Sequence, residues 1–111
     1  MKKTQYLGMI CLLAGSVAAY GQTKGDAAKG KPVFDANCSL CHSTAADQKV
    51  GPGMKGLFKK AKLSNGKPVT DANVLEKINN GGAATGGQMP AMKTVLSDAD
   101  KANVIAYLKT L

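Results

Sequence analysis

The sequence contains no tryptophan and no arginine, one histidine, three cysteines and few aromatic residues. With two phenylalanines and three tyrosines in 111 residues, the chain has little aromatic material from which to build a core. Small domains of this kind usually need an additional stabilising element, such as a disulfide or a structural metal. The single histidine, His42, also excludes any site that takes two histidines from one chain. We therefore expect something other than side chains to fill the centre of the fold.

The N-terminus is typical of a secretory signal rather than of a folded domain. Two lysines precede an apolar run over residues 7–19, which ends in small residues. A membrane-spanning helix needs about 20 apolar residues, so this run is short for a retained anchor. We expect residues 1–19 to be a signal peptide, cleaved after Ala19 or alternatively after Gly21.

Cleavage after Ala19 leaves 92 residues (111 − 19), enough for one small domain. We expect residues 20–25 to be a flexible leader and residues 26–111 to be the domain. The mature chain keeps 13 lysines (15 − 2) and 7 acids, a formal charge of +6. Nucleic acid is not an expected partner, because the chain is exported and its lysines are spread along the sequence.

Capping residues and hydrophobic spacing predict several short helices. We expect a first helix over residues 26–37, either bent at Pro32 or regular only from about residue 30, because proline removes a backbone donor. A short helix is expected over residues 54–61. A clearer helix begins after Thr70 and ends at a pair of glycines.

The C-terminal third of the chain predicts a loop followed by a helix. Residues 81–90 form a glycine-rich loop, and no alternating pattern in the chain predicts a sheet. The last helix is capped by Ser97, and its apolar stripe is expected to contain Ala102, Ile105 and Leu108.

Residues 38–42 read CSLCH, the attachment signal of c-type haem. Cys38 and Cys41 are three positions apart, about one helical turn. At that spacing each cysteine can form a thioether with one of the two vinyl groups of the haem. His42 then projects toward the iron, where it can serve as an axial ligand.

Other uses of a Cys-x-x-Cys pair fit this sequence less well. A redox-active pair usually opens a helix after a strand, and no strand is predicted here. A structural zinc site takes about four ligands, whereas the mature chain offers two cysteines and one histidine. A metallochaperone would use the two thiolates and leave His42 without a role. We therefore expect one covalently attached haem c per chain.

Methionine is the best remaining candidate for the second axial ligand, because there is no second histidine. Met54 follows His42 closely and is expected to stay on the histidine side of the haem. Met89 lies in the glycine-rich loop, 47 residues beyond His42 (89 − 42), and Pro90 restricts it to an extended backbone. The expected ligand is Met89; the alternatives are Met92, water or another group.

Taken together, these motifs resemble class I cytochrome c, the small monohaem c-type cytochromes of mitochondrial and bacterial type. The resemblance runs over residues 26–111. It rests on CSLCH, on VGP at residues 50–52, on MPAM at residues 89–92 and on the LSDAD run that opens the C-terminal helix. It implies an all-α fold in which three to five short helices wrap around one covalently bound haem.

The resemblance also implies two contacts. The first and last helices would cross near the haem, with Gly30 and Phe34 against Tyr107. The backbone carbonyl of Pro52 would accept a hydrogen bond from the outer nitrogen of His42, which fixes the ring and raises its basicity.

Several apolar residues are candidates either for the walls of the haem pocket or for ordinary core. They are Leu57, Phe58, Ile78, Met92 and Leu108.

A haem with both axial positions filled by protein ligands is suited to outer-sphere transfer of one electron. We therefore expect a carrier, not an enzyme, that moves electrons between extracytoplasmic redox proteins in the bacterial periplasm or at an extracytoplasmic face. One alternative is a cytochrome c subunit of a dehydrogenase or oxidase complex. The other is a haem protein whose labile sixth position binds small gases or peroxide.

The charge of the mature chain predicts redox partners with acidic docking surfaces. Lys55, Lys59 and Lys93 are the lysines expected around the haem edge. After signal cleavage we expect a monomer without stable membrane insertion.

Overall fold

The computed structural model describes residues 24–84 and 87–111. The predicted signal peptide and most of the predicted leader lie outside these residues. Three helices form the body of the fold: α1 (Ala27–Asn37), α2 (Asp71–Asn80) and α3 (Asp98–Leu108). The predicted set of three to five short helices is confirmed. None of the described helices is long and apolar enough to cross a membrane.

Helix α1 starts where its cap predicts and continues through its proline. The side chain of Asp26 accepts a hydrogen bond from the backbone N–H of Ala28. The helix runs without interruption across Pro32, so the prediction of a regular helix only from about residue 30 is wrong. Proline leaves the carbonyl of Ala28 without its helical donor. Both residues are exposed, so water can satisfy that carbonyl.

Helices α1 and α3 cross in close contact, as the resemblance implied. A Cβ atom at Gly30 would lie 1.9 Å from the backbone oxygen of Asn103, so only glycine allows this approach. The rings of Phe34 and Tyr107 pack beside the crossing, with centroids 5.6 Å apart and planes tilted by 59°. Such an aromatic pair contributes about 0.5–1.5 kcal/mol beyond the area it buries.

The buried face of α3 agrees with the predicted stripe in part. It consists of Lys101, Val104, Ile105 and Leu108, which follow i, i+3, i+4, i+7 spacing. Ala102 is only half-buried, and its carbonyl faces Gly25, which lies two residues before α1 begins. The prediction is thus confirmed for Ile105 and Leu108 and wrong for Ala102.

Helix α2 has its predicted boundaries. The side chain of Thr70 accepts a hydrogen bond from the backbone N–H of Asn73, and Gly81 ends the helix with φ +60°. The helix predicted over residues 54–61 is reduced to one 3-10 turn, Leu57–Lys59.

A β-hairpin occupies the segment that was expected to be a loop. Strands β1 (Gly82–Ala84) and β2 (Gly87–Met89) are antiparallel, and Gly82 pairs with Met89. The backbone turns into β1 through the positive φ angles of Gly81 and Gly82, a conformation that favours glycine. Because a hairpin this short is held by backbone pairing, it needs no alternation of apolar side chains, and the sequence pattern did not reveal it.

Candidate functional site

A cavity of about 360 Å³ brings together the residues expected to hold a haem. Its lining includes Cys38, Cys41 and His42 from the segment after α1, and Met89 from β2. In sequence these residues are up to 51 positions apart (89 − 38). The fold therefore places two thiols, one imidazole and one thioether around a single space.

The CSLCH segment is held as a continuation of α1. The backbone N–H of Cys38 donates to the carbonyl of Phe34 at 2.8 Å, and that of His42 donates to the carbonyl of Cys38 at 2.8 Å. The N–H of Gly51 then donates to the carbonyl of Cys41 at 2.7 Å. These bonds fix the backbone of both cysteines and of the histidine.

The imidazole of His42 is oriented by the loop opposite it. Its Nδ1 atom lies 2.9 Å from the carbonyl oxygen of Pro52. Because a carbonyl only accepts hydrogen bonds, this contact assigns the proton to Nδ1 and leaves the lone pair of Nε2 free for a metal. The contact is the one implied by the resemblance.

Gly51 gives the imidazole room to lie against this loop. A Cβ atom at Gly51 would lie 2.4 Å from Cε1 of His42. The sequence identified Gly51 only as part of a turn, and nothing local to it signalled that a ring packs against it.

Cys38 and Cys41 are not joined to each other by a disulfide. Burial raises the pKa of the Cys38 thiol to about 11, and the nearby Cys41 adds to the shift. Within the described part of the chain, no group of three or more His, Cys, Asp or Glu side chains is placed to hold a metal ion.

All three methionines of the expected mature chain line the cavity. Met54 is buried, and its backbone N–H donates to the carbonyl of Ser43, just after His42. Met92 is half-buried against the core, and its N–H donates to the carbonyl of Ile78. Met89 is half-buried at the end of the hairpin.

The remaining walls of the cavity are mostly apolar. Leu57 and Ile78 are both buried and both line it, as do Met92 and Leu108. Phe58 does not line the cavity; it is partly buried against the core, the other role that the sequence left open for it. Its ring instead lies 5.4 Å from Nζ of Lys109, on the side of the fold where α3 ends.

Lysines supply the only charged side chains of the lining. They are Lys60, Lys62 and Lys77, and no aspartate or glutamate of the described residues joins them. The lysines expected at the edge, Lys55, Lys59 and Lys93, are exposed but are not part of this lining.

The set of donors fits a covalently attached haem. The cavity presents two thiols for the vinyl groups, one imidazole nitrogen with its proton on the far side, and methionine sulfur. The three lysines of the lining have the charge that would complement the two carboxylates of a haem. The apolar walls would keep water from the macrocycle.

Comparisons with known proteins agree with this chemistry. A family described as "Cytochrome C oxidase, cbb3-type, subunit III" matches residues 25–108. Cytochrome c6 of Leptolyngbya boryana is 41% identical over 83 residues, covering 75% of this chain and 89% of that protein. Cytochrome c-555 of Chlorobaculum tepidum is 34% identical over 107 residues, covering 92% of this chain and 87% of that protein. The crystal structure of cytochrome c6 from the diatom Phaeodactylum tricornutum superposes with a TM-score of 0.60 at 29% identity, covering 78% of this chain and 93% of that one.

Proposed function

Because the chain belongs to the class I cytochrome c family and is a monohaem c-type electron carrier, we propose that it moves single electrons between extracytoplasmic redox proteins. In this proposal Cys38 and Cys41 hold haem c covalently, and His42 and Met89 are the axial ligands of its iron. The observation that supports the proposal is the convergence of these four side chains on one cavity.

Each residue has a separate task at the site. When bound, the haem supplies a one-electron iron couple. The carbonyl of Pro52 keeps the proton on Nδ1 of His42, fixes the plane of the ring and makes Nε2 more basic. The soft sulfur of Met89 favours a higher reduction potential than a second histidine would. Leu57 and Ile78 form apolar walls that exclude water.

The same assignment argues for a carrier rather than an enzyme. With His42 and Met89 as ligands, neither axial position is open to a substrate. A site that binds gases or peroxide usually has a distal acid–base group, and the sequence has no second histidine to provide one. We therefore favour electron transfer over the alternative with a labile sixth ligand.

The proposed location follows from the N-terminus. We propose that residues 1–19 direct export and are removed, with Gly21 as the alternative cleavage position, and that the domain works as a monomer in the periplasm or at another extracytoplasmic face. The charge of +6 on the mature chain suits partners with acidic docking surfaces.

An optical and electrochemical experiment tests the ligand assignment. The oxidised wild type should show the weak far-red band of sulfur-to-iron charge transfer and should resist low concentrations of azide. Met89→Ala should abolish the band, admit azide and lower the reduction potential. The matched control Met92→Ala, three residues away on the same cavity, should keep the band. If Met92→Ala abolished the band and Met89→Ala did not, the ligand would be Met92.

A further inference from the structure

Lys101 is the one charged side chain that is buried among the described residues, with 5% of its surface exposed. It lies on the inner face of α3 beside Val104 and Ile105. Lysine is almost never fully buried unless its ammonium group is paired, because removal of the charge from water is costly. The partners of Lys101 therefore indicate what this side chain holds in place.

The main partner is a backbone carbonyl. The Nζ atom of Lys101 donates a hydrogen bond to the oxygen of Lys93 at 3.0 Å. Asp98 is also near, with an oxygen 3.6 Å from Nζ, but its carboxylate is fully exposed and its charge is screened by water. The contact with Lys93 is the shorter one and is partly buried.

Lys93 belongs to the segment that follows the proposed iron ligand. It lies four residues after Met89 (93 − 89), between β2 and α3. Its N–H donates to the carbonyl of Asn79 in α2 at 3.2 Å, and the N–H of Met92 donates to the carbonyl of Ile78 at 2.9 Å. The segment is thus held by α2 through its donors and by α3 through the ammonium group of Lys101.

We propose that Lys101 is a positioning residue for Met89, an inference that rests on the proposed ligation of the iron by Met89. By holding the carbonyl of Lys93, it opposes the movement that would carry Met89 away from the cavity. Departure of Met89 together with this segment would leave a buried ammonium group without its acceptor, which is unfavourable. A ligand that displaces Met89 must overcome the free energy lost when the ammonium group of Lys101 loses its acceptor. Replacing Lys101 should therefore make displacement easier.

Imidazole, which competes with methionine for the iron, measures this resistance in the holoprotein. Lys101→Met keeps a side chain of similar length and removes the ammonium group. We expect it to bind imidazole about tenfold more tightly than the wild type, as judged by loss of the far-red band, because a hydrogen bond from a charged group no longer opposes the opening. At zero imidazole the band should remain.

Lys109→Met is the matched control. The same substitution in the same helix removes the 2.7 Å ion pair between Lys109 and Asp71, far along the chain from Met89. It should lower thermal stability without changing the imidazole affinity. An equal gain in affinity in both variants would show an effect of global stability and would overturn the proposal, as would an unchanged affinity in Lys101→Met.

Hydrogen exchange of the wild-type holoprotein tests the same proposal without depending on whether a variant folds. The amides of Met92 and Lys93 should be protected, and saturating imidazole should reduce their protection at least tenfold. Unchanged protection would mean that the segment stays in place when Met89 leaves, and Lys101 would then have no positioning role. If the wild type lacked the far-red band, the proposed ligation by Met89 would be wrong. That result is distinct from a failure of the Lys101 proposal, because it is obtained from the spectrum of the wild type alone.

Discussion

The Nδ1 atom of His42 lies 2.9 Å from the carbonyl oxygen of Pro52, and Gly51, the residue before this proline, lies against the same imidazole ring. The loop therefore does two things at once. Its carbonyl sets which nitrogen of the ring carries the proton, and its glycine leaves the space that the ring needs. A change in the glycine should alter the hydrogen bond.

Gly51→Ala tests this relationship. The new Cβ would lie 2.4 Å from Cε1 and 2.7 Å from Nδ1 of His42, so the ring or the loop has to move. We expect a loss of about 1–3 kcal/mol in the free energy of unfolding. We also expect a higher reduction potential, because a weaker bond to Pro52 makes the histidine less basic and less able to stabilise oxidised iron. Thermal unfolding and electrochemistry of the holoprotein measure the two effects.

Gly66→Ala is the control for this prediction. Gly66 has φ +82° and nothing within 4 Å of an added Cβ, so the substitution strains the backbone without touching the imidazole. It should cost about 1 kcal/mol of stability and leave the reduction potential unchanged. A shift in potential of equal size in both variants would contradict the link between Gly51 and the hydrogen bond.

The sequence predicts well those features of the site that depend on contacts between residues close in sequence. It predicts poorly those that depend on contacts between residues far apart in sequence. The spacing within CSLCH sets the positions of Cys38, Cys41 and His42, because these residues share one turn of backbone. The cap residues Thr70 and Ser97 also lie where sequence rules place them. In each case the determining contacts span only a few residues.

Features that depend on distant contacts were missed. Lys101 looks like a solvent-facing residue in sequence, and its burial depends on a carbonyl at Lys93 that is set by the path of the preceding segment. The hairpin depends on glycine backbone angles, so side-chain patterns do not reveal it. One signal for Lys101 was present: it stands in helical phase with Val104, Ile105 and Leu108.

The haem is expected to be a structural part of the fold. A cavity of about 360 Å³ borders the hydrophobic core of a small chain that has no tryptophan. We predict that a Cys38→Ser, Cys41→Ser double variant is largely disordered or rapidly degraded, because the remaining side chains bury too little area. Circular dichroism and thermal unfolding check this. A helical apoprotein that melts cooperatively would show that the haem is not needed for folding.

Intact-mass analysis tests the proposed export. The purified native protein should have the mass of a chain beginning at Tyr20 or Gln22, increased by the mass of one haem. The lysine pair followed by a short apolar run is the basis of this expectation. A protein that still carries Met1 would contradict the cleavage of a signal peptide.

The positions of the lysines make the docking proposal specific. Lys60 and Lys62 line the cavity, whereas Lys24 and Lys29, near the start of α1, do not. Replacing either pair with glutamine lowers the net charge by the same amount. We predict that Lys60→Gln, Lys62→Gln slows association with an acidic redox partner roughly tenfold at low salt, because charges beside the electron-transfer site steer the productive encounter. The control pair should slow it less than about threefold.

The same association rates measured at increasing salt concentration give a second test of electrostatic steering. At 0.1 M ionic strength exposed charges interact only over about 10 Å. The association rate of the wild type should therefore fall as salt is added and approach that of the Lys60→Gln, Lys62→Gln variant.

A Lys55→Gln, Lys59→Gln variant distinguishes the lysines that the sequence predicted at the haem edge from those that line the cavity. Stopped-flow electron transfer measures all of these rates. If the Lys55, Lys59 pair had the larger effect, the docking face would be centred away from the cavity lysines. A wild-type rate independent of ionic strength would remove electrostatic steering altogether.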